Sequence, residues 1–341
     1  MNSEVSIIIC TRNRAESLRL TLDAISGLAV PQGWKVELLV VDNGSSDNTR
    51  QVIRESRLPN LSLRYVEEPT PGLSFARNTG LSMARGSIII FTDDDVRPVN
   101  NWIELLVKPL LENKADATGG GIKLADHLHR AWMEPVHLMW LAATAPGEGR
   151  APEMIGANMA FNRAVLERVP SFDTELGAGR LGFMEDTLFW KRLVAEGYRV
   201  VEVPEALVVH HLDSSRLIRS EWLKAARQRG DSLAYVWHHW CHAEFKLLWL
   251  RCLFLSAKLF IRRLLQPPPA MKAEGSPPWE LSYVYERSFC RKFMEVSKKP
   301  RKYNECATMK YPLSILKFIF AGLNKDLPAV SCRLKAGSKE A

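Results

Sequence analysis

Residues 91–96 read FTDDDV, and three adjacent aspartates, Asp93, Asp94 and Asp95, close the apolar run SIIIF. Like charges side by side repel, and each resists burial. The cluster is therefore either a solvated turn or the seat of a cation. Mg2+ and Mn2+ prefer carboxylate oxygens and leave positions open for substrate phosphates. A metal–diphosphate site is thus one chemistry that such a cluster could perform. Other polar groups could share it: Thr11-Arg12-Asn13-Arg14, Asp42-Asn43, Glu185-Asp186 after the glycine-rich LGAGRLGF (176–183), and His210-His211. Plainer readings stand beside each one. Carboxylates in a first helical turn complement the helix dipole, polar strand ends can be solvated turns or caps, and a His pair can be a satisfied structural feature.

These groups need a scaffold, and the hydrophobic pattern supplies one. VSIIIC (5–10), KVELLVVD (35–42), LSLRYVEE (61–68) and SIIIFTDDD (87–95) read as strands. Between them lie helical stretches: Leu18, Leu22, Ile25 and Leu28 at helical spacing, a segment after DNGSSDNT, and GLSFARNTGLSMARG (72–86), which looks closed by glycine. WIELLVKPLLEN (102–113) is helical again. Such alternation predicts an α/β layer with a largely parallel sheet, whose ligand sites fall at the carboxyl ends of its strands. Further on, DATGGGIKL and MIGANMAF read as strands, EDTLFWKRLVAEGY as a helix, and YRVVEVPEALVVHH as one or two strands. Residues 176–183 look like a mobile loop.

CTRNRAE contains no glycine, which removes a dinucleotide-binding GxGxxG turn, and no GxxxxGK[ST] phosphate loop occurs. Aspartate clusters also mark phosphoacceptor signalling domains, but those are far shorter. Six cysteines without CxxC spacing, and no signal peptide, read as reduced thiols of a cytoplasmic protein. The net charge of +8 hides a split. Residues 1–213 hold 22 Lys and Arg against 28 Asp and Glu, whereas residues 214–341 hold 24 against 10. The pattern changes after 213, which sets the expected domains: a catalytic domain over 1–213 and a basic, mainly helical region over 214–341.

The order of the motifs resembles a known family. VSIIICTRNR, VVDNGSSDNT, GLSFARNTGLSMARGSIIIFTDDDV, GANMAFNRAVLERV with FDTELG, MEDTLFWKRLVAEGYRV and PEALVVHH are similar to blocks of the inverting family-2 glycosyltransferases. The resemblance covers roughly residues 4–211. It implies the GT-A nucleotide-diphospho-sugar transferase fold, a Rossmann-like, mostly parallel mixed sheet, here with a C-terminal helical extension. It further implies a hexosyltransferase of the EC 2.4 type that uses Mn2+ or Mg2+ and a nucleotide diphosphate sugar. Thr11, Arg12, Arg14 and Asp42 correspond to the nucleotide-binding strand ends, and Arg77 and Asn78 to donor-pocket residues. Asp93, Asp94 and Asp95 match the DxD element, at ribose and the diphosphate-bound metal. Asp95 and His210 correspond to metal ligands, with His211 as the alternative. Asp186 matches the general base, with Glu185 in support.

Two rivals remain open. A nucleotidyltransferase shares the nucleotide pocket but does not need the Glu185-Asp186 base, and a degenerate module could bind nucleotide sugar without turnover. The acceptor implied is a glycan or lipid-linked sugar in polysaccharide or glycoconjugate synthesis. In the basic half, LLWLRCLFLSAKLFIRRLL (247–265) contains Arg251, Lys258, Arg262 and Arg263, each costly at a membrane centre. Arg251, Lys258 and Arg262 fall on one helical face. This predicts a basic amphipathic helix, either lying on anionic lipid as a peripheral membrane element or packed with a solvated basic face. No nucleic-acid module is recognisable, so nucleic acid is not an expected partner.

Overall fold

The computed structural model describes residues 4–143, 154–304 and 306. They fall into two compact units, one ending at Ser214 and one beginning at Ser215. The first is built on an eight-stranded sheet in the order β3-β2-β1-β4-β7-β6-β8-β5. Its strands are β1 (Glu4–Thr11), β2 (Lys35–Asp42), β3 (Ser62–Glu67), β4 (Ile88–Asp93), β5 (Val96–Pro98), β6 (Ala117–Leu124), β7 (Asn158–Asn162) and β8 (Val200–His210). The first four are parallel. β7 runs antiparallel between β4 and β6, and β5 pairs antiparallel with β8. The sheet is thus mixed and mostly parallel, with helices on both faces.

Alternation along β1 shows why these runs must be strands. Val5, Ile7 and Ile9 pack on one face with α1 (Ala15–Ser26) and α4 (Trp102–Leu111). Ile8 points to the other face, towards α3 (Leu73–Met83) and α6 (Glu185–Ala195), among Phe91, Phe161 and Phe189. A period of two with both faces covered gives a continuous apolar run. The remaining helices of this unit are α2 (Thr49–Glu55) and α5 (Pro135–Trp140). Helix α3 stops at Met83 with Ala84 as its extended cap, so the glycine expected to close it lies beyond the end.

The second unit consists of α7 (Arg219–His239), α8 (Leu248–Leu265) and α9 (Pro278–Val296), with α9 packed on both others. Here α8 differs from a helix with a solvated cationic face. Leu248, Leu255 and Leu259 are buried, and the cations beside them turn towards α9. Arg251 pairs with Glu286 at 2.8 Å, Arg263 with Glu280 at 2.7 Å, and Arg262 lies over the Trp279 ring. Glu280 also takes Arg219 at 2.5 Å and accepts from the Ser276 hydroxyl at 2.9 Å. Carboxylates buried on α9 need cations, and α8 supplies two of them. Its outward face is left apolar.

Candidate active site

Strand register brings the candidate groups into a row. Thr11 lies opposite Asp42, and Cys10 opposite Asp93, so the carboxyl ends of β2, β1 and β4 stand side by side. The chain then turns through Asp94 and Asp95 into β5. Because β5 runs antiparallel to β8, Val96 faces His210. A three-residue strand thereby carries the end of β8 to the aspartate turn: His210 Nε2 lies 3.2 Å from Asp95 Oδ1. His211 meets the same residue only through its backbone, its N–H donating to the Asp95 carbonyl at 2.7 Å.

Part of the repulsion among the aspartates is answered from within the chain. Arg14 reaches Asp94 Oδ1 through Nη1 and Asp95 Oδ2 through Nη2, both at 2.7 Å. The Thr11 hydroxyl donates to Asp94 Oδ2 at 2.6 Å, while Ser17 and Thr21 donate to the Asp94 carbonyl. Burial pushes the Asp94 carboxyl up to about 7, against the pull of Arg14 and with added repulsion from Asp95. Asp95 goes the other way. Burial opposes its charge, but His210 and Arg14 together hold it well below the usual carboxylate range.

The Asp95–His210 pair suits a divalent cation. His210 Nδ1 lies 3.0 Å from the Leu141 carbonyl, which can only accept, so Nδ1 carries the proton. Nε2 then faces Asp95 Oδ1, a buried oxygen with no hydrogen-bond partner of good geometry, either as the second N–H of an imidazolium, the form that lowers the Asp95 carboxyl, or as a bare lone pair. Either a second proton or a metal ion must stand between them. Among the described residues no three His, Cys, Asp or Glu side chains converge as a ligand set. An ion held there would complete its shell with phosphate and water, as Mg2+ commonly does.

A second cluster surrounds Arg77. This side chain is 4% exposed, between the rings of Phe91 and Phe172. Nη1 pairs with Glu185 Oε1 at 2.8 Å, and Nη2 lies 3.8 Å from Asp93 Oδ1. Burial alone would lower the guanidinium pKa, but Glu185, Asp93 and Asp186 raise it. Arg77 therefore ties the aspartate turn to the first turn of α6. Burial raises the Glu185 carboxyl to about 7, with repulsion from Asp186 adding and Arg77 opposing. Asp186 is only half-buried. Its Oδ2 accepts the Gly156 N–H at 2.9 Å and its Oδ1 the Thr187 N–H at 2.6 Å. A Cβ at position 156 would collide with the Arg77 guanidinium and push it from its place beside Glu185 and Asp93.

The other candidates have mixed fates. Asp42 is buried, accepting from the Ser45 N–H at 2.9 Å and the Tyr65 hydroxyl at 3.2 Å. Arg12 is exposed at the end of β1. Asn78 spends both ends of its amide on the Phe172 backbone, at 3.0 and 2.9 Å, so it positions that ring beside Arg77. The segment 176–183 is a hydrogen-bonded turn rather than a free loop. Gly177, Gly179 and Gly182 take positive φ, Leu176 is buried, and Ala178 and Leu176 accept bonds from the start of α3. Gly156 and Tyr65 were missed from sequence. Only the glycine of GANMAF offered a signal, since a backbone donor leaves no other trace.

Residues 6–169 match the model of the family described as Glycosyl transferase family 2. The chain is 36% identical over 121 residues to glycosyltransferase AglE of Haloferax volcanii, a match spanning 35% of this chain and 39% of that protein. It is 30% identical over 204 residues to glucosyl-3-phosphoglycerate synthase of Mycolicibacterium paratuberculosis, spanning 51% and 58%. The chain thus spans less than two thirds of either relative. Among solved structures, mannosyltransferase PcManGT from Pyrobaculum calidifontis, in complex with GDP-Man and Mn2+, superposes with a TM-score of 0.52 at 21% identity. That superposition covers 93% of this chain and 81% of that one. The first unit has the GT-A fold, an α/β mixed sheet with flanking helices, followed by a helical extension. The resemblance to glycosyltransferase family 2 thus lies within the first unit.

Proposed function

We propose that the chain is a divalent-metal-dependent, inverting glycosyltransferase, moving a sugar from a nucleotide diphosphate sugar to a hydroxyl of a glycan or lipid-linked acceptor. The observation that carries this reading is Arg77, held 2.8 Å from Glu185 and 3.8 Å from Asp93. One buried side chain thereby fixes the carboxylate-bearing start of α6 beside the phosphate-side aspartates. In this reading Thr11, Arg12, Arg14 and Asp42 receive the nucleotide, and Asp93 and Asp94 its ribose and diphosphate. Asp95 and His210 would hold the cation, which when bound supplies Lewis-acid stabilisation of the leaving diphosphate. Asp186, fixed by the Gly156 N–H, takes the proton from the acceptor hydroxyl. The hydroxyl oxygen bonds to the anomeric carbon as the carbon–oxygen bond to the diphosphate breaks, and that electron pair leaves with the phosphate. A single displacement inverts the centre. Glu185, buried against Arg77, orients the helix.

The products would serve polysaccharide or glycoconjugate synthesis in the cytoplasm. The basic second unit suits an anionic membrane surface as its partner, which in this reading makes the enzyme peripheral on the cytoplasmic face. A thermal-shift screen of nucleotide diphosphate sugars with and without Mn2+ tests the proposal, since a ligand of the native state alone raises the melting temperature. One donor should stabilise the protein only with metal, and its sugar should appear in product with inverted anomeric configuration. Retention, or no stabilising donor, would overturn it.

A further inference from the structure

Helix α8 keeps its four cations for its own unit and shows solvent a face of a different kind. Arg251 and Arg263 are paired with α9 carboxylates, and Lys258 and Arg262 lie over the Tyr283 ring. On the opposite side Trp249, Leu253, Phe260, Ile261, Leu264 and Leu265 are 54–76% exposed. At 100° per residue they form one stripe along the helix. No Asp or Glu occurs anywhere in α8. A soluble surface rarely leaves so continuous an apolar stripe in water unless something covers it.

We propose that this stripe is the membrane-binding element: α8 lies in the surface of an anionic bilayer with its apolar side among the acyl chains. The proposal rests on the anionic-surface partner inferred above and moves the contact from the cationic to the apolar face. Charge and shape choose lipid as the occupant. Among the described residues no helix is long and apolar enough to cross a membrane, so α8 lies on a bilayer and does not span one. Residues 214–341 carry 24 Lys and Arg against 10 Asp and Glu, so two copies facing each other would repel whereas anionic lipid attracts. Exposed Lys246 and Lys272 flank the stripe in sequence. Beside it runs a groove of about 470 Å³, lined by Phe254, Ile261, Leu265 and Tyr283 together with Lys258 and Arg262. Its mostly apolar walls suit one acyl chain.

Sedimentation of the full chain with vesicles of phosphatidylcholine, with and without phosphatidylglycerol, tests this. The variant is the triple substitution Leu253→Ser, Phe260→Ser and Leu264→Ser, all at exposed positions. The wild type should pellet with anionic vesicles and be released only in part at about 1 M NaCl, because salt screens charge and not apolar burial. The triple variant should bind about tenfold more weakly or worse at any salt, with an unchanged unfolding midpoint. Should it bind like the wild type, with salt releasing both, the apolar-face inference falls and the anionic-surface reading survives. If the wild type pellets with no vesicle, both fall. A dimer by light scattering that the triple variant makes monomeric would then assign the stripe to a second copy. Vesicle binding gained by deleting residues 307–341 would assign it to that segment.

Discussion

Replacing Glu185 by Gln probes the electrostatics of the site most directly. Its carboxyl is buried and raised from an ordinary value of 4.5 to about 7, although Arg77 lies 2.8 Å away. At about 1.36 kcal/mol per pH unit, that displacement is worth about 3 kcal/mol. The sign follows from proton counting. Between pH 4.5 and about 7 the unfolded carboxyl has lost its proton while the folded one keeps it. The native state therefore binds more protons, and stability falls as pH rises through this window. Glutamine keeps the shape and cannot titrate. The assay is urea unfolding of the first unit in wild type and Glu185→Gln across that range. Wild-type stability should drop by about 3 kcal/mol relative to the variant as pH rises, and level off above about 7. A difference that is flat, or that grows in favour of the wild type, would mean that Arg77 outweighs burial and the carboxyl is ionised throughout.

Three further outcomes follow from named contacts. His210→Ala should weaken Mn2+-dependent binding of a nucleoside diphosphate in calorimetry, whereas His211→Ala should be nearly silent, because His211 meets Asp95 through its backbone N–H. Gly156→Ala forces a methyl against the Arg77 guanidinium and should cost about 1–3 kcal/mol in unfolding, with sugar transfer falling as the donor to Asp186 shifts. Glu280→Gln removes the charge shared by Arg219 and Arg263 and leaves Arg219 buried without its carboxylate, so the second unit should lose about 3–5 kcal/mol in denaturant titration.

Much of the scaffold was legible because short apolar, β-branched runs that end abruptly in polar residues read as buried strands. The same runs announced where polar groups would collect. Pairing across the sheet left less trace. β5 has three residues, too few to show a period, yet its pairing with β8 carries His210 to Asp95. Arg14 stood in the sequence as a nucleotide contact, and nothing local shows that its side chain turns onto Asp94 and Asp95. Glycines in 176–183 suggested mobility, whereas their positive φ values serve a turn fastened to α3. In α8 the helical period put Arg251, Lys258 and Arg262 on one face. Which face would be covered depended on Glu280 and Glu286, carboxylates on a helix later in the chain.

The central claim, that this strand-end crevice performs sugar transfer with Asp186 as its base, is tested most directly by Asp186→Asn. The amide keeps the shape and cannot take a proton, and neither the Arg14 pairs nor the Asp95–His210 contact involves it. Donor and Mn2+ binding, measured by calorimetry, should stay near wild type while transfer falls by about 10²–10⁴. Transfer at the wild-type rate, or collapse in Glu185→Gln instead, would contradict the account.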